Sequence, residues 1–173
     1  MRIIGVDPGL VVTGVGIIQA GDRHPNDEFT FIHSQIIRPP GSDLSLRLLH
    51  LHECLMTIIR ELECEVMAVE DQFFGNNVQT AFKTGQARGA ALLAAARSSI
   101  PARLYPPARI KQAVVGNGMA SKEQVRHLVE QLLRVSSLPQ ALDCSDALAV
   151  ALCHAFTFRK DAASGRLPFG HRR

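Results

Sequence analysis

The chain opens with a short apolar run that ends in Asp7 and is stopped at once by a Pro-Gly turn. A run of this length with such a stop predicts a buried strand. Strand side chains alternate between faces, so Ile4 and Val6 should point one way. Ile3, Gly5 and Asp7 should point the other way, which places a carboxylate beside core residues. A buried carboxylate is costly without a cation or donors, although an Asp that merely opens a turn is the common alternative.

Two further strands and a long helix are predicted next. Residues 13–18 carry glycines at alternate positions, which leaves one face of that strand as bare backbone. Either a ligand lying close to the sheet or a tight hairpin corner would explain this pattern. Residues 28–37 alternate as a third strand. After a Pro-Pro-Gly break, leucines and isoleucines repeat at helical spacing from Leu44 to about Glu63.

The middle of the chain repeats the opening pattern. Residues 65–70 run through four apolar positions into a second carboxylate, Glu70, and their place between two helices predicts a buried parallel strand. A second helix is predicted over residues 78–98, and residues 101–105 form a last short strand. The second helix carries a stripe of small residues that permits close approach of another helix, from this chain or from a second copy: Gly85, Ala87, Gly89, Ala90 and Ala91.

The remaining third of the chain is predicted to be helical. A short helix spans residues 106–115, and the capping-box pattern at residues 121–124 starts another that ends near Arg134. The final helix, from Asp143 to about Phe158, is apolar almost all the way round and should therefore be buried. The predicted fold class is α/β, with a mixed central sheet of about five strands flanked by helices.

Composition and charge narrow the function classes. At 173 residues the chain makes one domain, residues 1–158, followed by a basic and flexible tail, residues 159–173. The tail holds five basic residues against one acid, a net of +4, so the total of +3 leaves the body at −1. Any nucleic-acid binding must therefore depend on a local patch and on the tail.

The sequence argues against a membrane protein, a secreted protein and a zinc protein. No apolar run approaches the roughly 18 residues that a membrane span needs, and the start lacks a signal-peptide pattern, so we expect a cytoplasmic protein. The four cysteines show no zinc-site spacing and are expected to be reduced, buried, small hydrophobic residues.

Four carboxylates are candidates for a common site. Asp7 and Glu70 end strands that should be neighbours, and ligands gather at the carboxyl ends of parallel strands. Asp143 and Asp146 are spaced i and i+3, which puts both on one face of the final helix about 60° apart. An N-cap with an acid in the first turn is the alternative explanation for this pair. Four converging acids would repel one another unless divalent cations joined them, and all-oxygen ligands suit Mg²⁺ or Mn²⁺ in a two-ion phosphodiesterase site.

These motifs together resemble the RuvC family of Holliday junction resolvases, over positions 3 to about 154. The segments that carry the resemblance are residues 4–9 with Thr13-Gly14, residues 69–74, 85–89, 111–116 and 143–149. The resemblance implies an RNase H-like fold, a homodimer, and Mg²⁺-dependent paired nicking of four-way junction DNA in recombination and repair. It also implies two ions per active site, substitution of Mn²⁺ for Mg²⁺, and cooperation with the RuvA-RuvB branch-migration complex.

The resemblance also implies roles for individual residues. The catalytic, metal-binding carboxylates would be Asp7, Glu70, Asp143 and Asp146, with His replacing Asp143 in some relatives. Phe73 matches an aromatic residue placed at the strand exchange point. Lys111 and Lys122 match basic residues that are important for activity.

Physical arguments add candidates for DNA binding. Lys122 lies in the first turn of a capped helix, where a positive charge is unfavourable unless an anion such as a phosphate sits there. Phe73 and Phe74 precede a Gly-Asn-Asn stretch in which burial of both is difficult, so stacking on an unpaired base is expected, with packing under the loop as the alternative. The remaining candidates for phosphate contact, each of which could also be an ordinary solvated residue, are Lys83, Arg88 and Arg109.

Two other functions compete with a nuclease. A non-catalytic junction-binding protein on the same scaffold would nick nothing with any divalent ion, and the complete set of acids argues against it. A sugar-kinase or actin-type ATPase has a similar Asp-x-Gly start, but it needs two such domains and a second phosphate loop, which 173 residues cannot supply.

Overall fold

Five strands form one mixed sheet in the order β3-β2-β1-β4-β5. In this computed structural model residues 1–21, 29–71, 78–136 and 142–165 are described. β1 pairs antiparallel with β2 and parallel with β4, while β2–β3 is antiparallel and β4–β5 parallel. The α/β prediction with about five strands is confirmed. The strands are β1 (Arg2–Asp7), β2 (Thr13–Ala20), β3 (Phe29–Ile37), β4 (Val66–Glu70) and β5 (Ala102–Tyr105).

Five helices cover the two faces of the sheet. α1 and α2 pack on one face with Ile4 and Val6, whereas α3, α4 and α5 pack on the other with Ile3. The alternation predicted for β1 is therefore correct, and it sends Asp7 to the α5 side. The helices are α1 (Leu44–Glu61), α2 (Val78–Arg97), α3 (Pro107–Val115), α4 (Lys122–Leu133) and α5 (Leu142–Ala163).

α5 lies directly on the bare face of β2. A Cβ added at Gly14 would stand 2.1 Å from the carbonyl oxygen of Asp143, and one at Gly16 would stand 2.6 Å from Leu148 Cγ. Neither explanation offered for these glycines, a bound ligand or a hairpin corner, is correct. The glycines instead allow a helix to approach the sheet closely, and this contact sets the position of the first turn of α5.

α5 is buried along most of its length, as its apolar composition predicts, with Leu148 and Leu152 fully enclosed. It continues to Ala163 rather than ending near Phe158. Residues 159–163, which the sequence placed in the flexible tail, are thus helical. One physical reason is that Arg159 lies 4.3 Å over the ring of Phe29, which anchors this part of the helix to the sheet.

The cysteines are free thiols, three of them buried and Cys54 half-buried, as expected for small apolar residues. Burial raises the pKa of Cys64 to about 12 and that of Cys153 to about 11, so neither is a reactive thiolate at neutral pH. Within the described ranges, none of the helices combines the length and the apolar character that crossing a membrane requires.

Candidate active site

Three of the four candidate acids line one cavity, with a volume of about 240 Å³. Asp7 is the last residue of β1 and Glu70 the last of β4, and these parallel strands are neighbours with Val6 opposite Val69. Asp146 reaches the same cavity from the first turns of α5. The strand ends therefore converge as the sequence predicted, and the close α5–β2 contact adds the third acid.

The surroundings of Asp7 change its protonation strongly. Burial raises the pKa of Asp7 to about 7, with Glu70 and Asp146 adding to the rise in that order. Lys122 acts against them and lowers the same pKa. A carboxyl group with this pKa is about half protonated at neutral pH, which is the state expected of an acid cluster that lacks sufficient positive charge.

Asp143 occupies a more distant position. It lies half-buried in the first turn of α5, where its backbone, rather than its side chain, makes the closest contact with β2. Among the acids that raise the pKa of Asp7 its effect is the smallest. The sequence grouped all four acids together, and the structure places Asp143 beside the cavity that the other three line.

Two lysines supply positive charge to the same cavity. Lys111 from α3 lines its wall, and Lys122 from α4 donates a hydrogen bond from Nζ to Asp146 Oδ2 at 2.7 Å. This hydrogen bond raises the pKa of Lys122. The capping box of Ser121 and Gln124 holds the start of α4, as predicted. The anion that accompanies Lys122 in this structure is therefore Asp146.

The donor set suits a hard divalent cation. Carboxylate oxygens with a deficit of positive charge favour Mg²⁺ or Mn²⁺ over softer metals. Across the described residues, however, no three of the His, Cys, Asp and Glu side chains are grouped closely enough to hold a metal ion by themselves. Mg²⁺ typically uses one or two carboxylates and completes its shell with water and substrate phosphate, so an open site of this kind fits that ion.

The other candidate residues are dispersed. Lys83 and Arg109 are exposed on α2 and α3, whereas Arg88 donates from its guanidinium Nη1 to the carboxylate of Asp71. Phe73 and Phe74 lie outside the described residues. Five of the residues that the sequence predicted for the site thus line one cavity, whereas the sequence did not predict a partner for Arg88.

Two further residues form a buried contact that the sequence did not predict. The hydroxyl of Tyr105 lies 2.7 Å from Nδ1 of His154, deep between β5 and α5. Burial lowers the pKa of His154 to about 4, with Arg103 adding to the fall, so its ring is neutral at physiological pH. This pair joins the strand next to β4 to the helix that carries Asp146. No pattern in the sequence links a Tyr and a His so far apart in the chain.

The chain matches known proteins over almost all of its length. Residues 3–154 match the family model described as "Crossover junction endodeoxyribonuclease RuvC". Proteins of that name from Desulforamulus reducens and from Shewanella sp. strain MR-4 are each 44% identical, over 90% and 95% of this chain and 93% and 92% of their own lengths.

Solved structures agree with these relatives. Thermus thermophilus RuvC superposes with a TM-score of 0.83 at 31% identity, covering 96% of this chain and 98% of its own. The same protein in complex with a Holliday junction substrate gives a TM-score of 0.81 at 29% identity, with the same coverage. The fold is therefore RNase H-like, as the resemblance implied. The chain belongs to the RuvC family of crossover junction endodeoxyribonucleases.

Proposed function

We propose that this protein is a structure-selective endodeoxyribonuclease that resolves four-way DNA junctions by paired, symmetric nicks, in homologous recombination and DNA repair. The observation that carries the proposal is the convergence of Asp7, Glu70 and Asp146 in one cavity of a RuvC-family fold. The Thermus relative, bound to a Holliday junction substrate, supports the choice of DNA.

The metal-binding residues of this proposal are Asp7, Glu70, Asp143 and Asp146. Two Mg²⁺ ions, or Mn²⁺ in their place, would supply Lewis-acid activation of a water and stabilise the leaving 3′ oxygen when bound. The raised pKa of Asp7 supports this assignment, because a bound cation would stabilise the ionised form of a carboxyl group that burial and the neighbouring acids disfavour.

The chain's own residues perform the other tasks. The backbones of Asp7 and Glu70 are held by pairing with Gly14 of β2 and Tyr105 of β5, which fixes the points from which both carboxylates enter the cavity. Lys111 and Lys122 provide positive charge at the cavity wall. A phosphate that enters the cavity would accept hydrogen bonds from these ammonium groups. The apolar side chains of Ile110 and Val125 line the same cavity.

DNA contacts outside the cavity are proposed for exposed residues. Lys83 and Arg109 are free to meet phosphates from α2 and α3 in the way that surface lysines and arginines do. Phe73 and Phe74 remain the proposed stacking residues at the junction centre.

A homodimer is part of the same proposal, since a junction offers two equivalent strands to a two-fold assembly. An apolar groove of about 370 Å³ between α1 and α2 supports it, and we refer to it as the α1–α2 groove. Its rim includes Leu49, 50% exposed, and Leu93, 55% exposed, while Phe82 at 69% lies on the same helix α2. Contiguous exposed apolar side chains of this kind are typical of an interface.

Two further elements of the proposal concern the cellular setting. The RuvA-RuvB branch-migration complex is the proposed functional partner, and the cytoplasm is the proposed location. Co-purification with the tagged protein tests the partner, and fractionation of the cells tests the location.

The test uses purified protein, Mg²⁺, a synthetic four-way junction and a linear duplex of matching sequence. We expect symmetric nicks in the junction only. Asp7→Asn should abolish cutting while junction binding survives, since the substitution removes a ligand charge without altering the DNA-facing surface. Equal loss of cutting and binding would contradict the metal-site role, and junction binding without nicks by the wild type would favour a non-catalytic binding protein.

A further inference from the structure

We propose that the ion pair between Arg88 and Asp71 is a positioning device for Glu70, and that Arg88 is not a DNA-contacting residue. The inference rests on the proposed nuclease function, because Glu70 is one of the acids assigned to it. In this proposal both side chains hold Glu70 in position, and neither of them binds phosphate.

The backbone of Asp71 extends the pairing of β4 with β5. Glu70 lies opposite Tyr105 in the parallel register, and the N–H of Asp71 donates to the carbonyl oxygen of Tyr105 at 2.8 Å. The residue that follows Glu70 is thus still held by the sheet. This hydrogen bond limits rotation of the backbone at the point where the carboxylate of Glu70 enters the cavity.

The side chain of Asp71 is held from the opposite direction. Arg88 donates to its carboxylate from the middle of α2, where the neighbouring Ala87 and Ala91 are fully buried against the α1 layer. Arg88 therefore lies in a well-packed part of α2 and not at a helix end that frays. Asp71 is fixed by its backbone to β5 and by its side chain to α2, and Glu70 is the residue next to it.

Burial argues against a phosphate role for Arg88. The side chain of Asp71 is 13% exposed and that of Arg88 32% exposed, whereas a phosphate-binding side chain must be free to turn outward. Moving Arg88 to a phosphate would leave the carboxylate of Asp71 largely buried without its cation, and a broken buried pair is strongly unfavourable. Lys83 and Arg109, which lie exposed, carry no such penalty.

The two roles predict opposite effects of Asp71→Asn. If the pair positions Glu70, Asp71→Asn and Arg88→Gln should behave alike. Each should lower the cleavage rate at saturating junction about 10- to 100-fold, since small displacements of catalytic groups have effects of this size. If Arg88 instead binds phosphate, Asp71→Asn should tighten junction binding by releasing Arg88, while Arg88→Gln should weaken it.

The experiment measures single-turnover cleavage, junction affinity in Ca²⁺, and Mn²⁺ affinity of the DNA-free protein by calorimetry. We expect unchanged junction affinity and weaker Mn²⁺ binding for both single variants, with Arg97→Gln, on the exposed end of the same helix, as the charge-matched control. The exchanged pair, Asp71→Arg with Arg88→Asp, should recover at least part of the lost cleavage rate. It also provides the test if the single variants do not fold.

Failure of this proposal can be distinguished from failure of the proposed function. Absence of junction cleavage by the wild-type protein would remove the nuclease function itself. If the wild type cleaves, any one of three results would overturn the positioning role of the pair. These results are wild-type cleavage by Asp71→Asn, a specific loss of junction affinity in Arg88→Gln, and an exchanged pair that recovers none of the lost cleavage rate.

Discussion

Burial and two neighbouring acids alter the protonation of Asp7, the last residue of β1. Its pKa is raised to about 7 by burial first and by Glu70 and Asp146 next, while the ordinary value is 3.8. The folded protein therefore binds a proton that the unfolded chain releases between these two pH values. Without metal, the contribution of Asp7 to folding stability falls as the pH rises from about 4 to about 7, and it stays low above that range.

The amide variant of Asp7 tests this linkage. In the metal-free protein we expect Asp7→Asn to raise the melting temperature at pH 8 by up to about 15 °C, because a pKa shift of this size corresponds to at most about 4 kcal/mol and each kcal/mol moves the melting temperature by about 2–4 °C. The gain should shrink to a small remainder near pH 4, where the carboxyl group is protonated in the folded protein and about half protonated in the unfolded chain. Thermal melts in EDTA from pH 4 to pH 8 measure it, with Glu53→Gln, at an exposed acid of α1, as the control. A gain independent of pH would contradict the explanation.

Lys122 competes with metal for the same acid. Its Nζ bonds Asp146 at 2.7 Å while its side chain remains 61% exposed, so the pair is weak and easily exchanged. We expect Lys122→Met to tighten Mn²⁺ binding to the DNA-free protein by up to about fivefold, the equivalent of about 1 kcal/mol. Calorimetry with Mn²⁺ measures the change, and Arg97→Met, which removes the same charge elsewhere, should leave the affinity unaltered. Weaker Mn²⁺ binding in Lys122→Met would show that the lysine supports the site instead.

At the scale of elements, the contact of α5 with β2 determines where the acids of the helix lie. Gly14 faces the carbonyl oxygen of Asp143, and Gly16 faces the side chain of Leu148, so no side chain of β2 holds the helix away from the strand there. The helix is otherwise buried all along this contact. A change in its distance from the sheet moves Asp143 and Asp146 relative to Asp7, which is fixed in β1.

Gly14→Ala tests this element contact. The added Cβ would stand 2.1 Å from a backbone oxygen that cannot turn aside, so α5 must shift away from the strand. We expect a loss of about 1–3 kcal/mol in the free energy of unfolding, by urea titration, together with loss of cleavage. Gly85→Ala on α2, where a Cβ meets nothing within 4 Å, should be neutral or slightly stabilising. Normal stability and cleavage in Gly14→Ala would show that the helix position is not set here.

At the scale of the whole molecule, the two faces of the sheet serve different purposes. One face carries α3, α4 and α5 with the acid cavity, and the other carries α1 and α2 with the α1–α2 groove. The proposed dimer uses the second face. Two copies joined there would keep both cavities away from the interface and available to the DNA.

Leu93→Glu tests the dimer at this scale. A charge in the α1–α2 groove should abolish association, so the variant should have the mass of a monomer, about 18.9 kDa, in light scattering. We expect it to retain Mn²⁺ binding but to lose paired nicking, since one active site cannot cut two strands at once. Leu104→Glu, at an exposed apolar residue of β5 that does not line this groove, is the control and should remain dimeric. A dimeric Leu93→Glu would place the interface elsewhere.

Much of this architecture is predictable because it depends on local patterns. The apolar runs that end in Asp7 and Glu70 predict both strands and the placement of the acids at their ends, since period-two alternation is written in the sequence. The capping box at Ser121 predicts the start of α4. The i, i+3 spacing of Asp143 and Asp146 predicts that both lie on one helix face.

Tertiary structure alone decided the rest, because it depends on which distant segments meet. The glycines of β2 are explained only by the helix that covers them, and Asp143, whose backbone makes that contact, is not among the residues that line the cavity. The pairs Arg88–Asp71 and Lys122–Asp146 join side chains from different elements, and no spacing in the sequence encodes a contact between them. Local sequence determined which groups could do the chemistry, and the packing of helices on the sheet determined how they are paired.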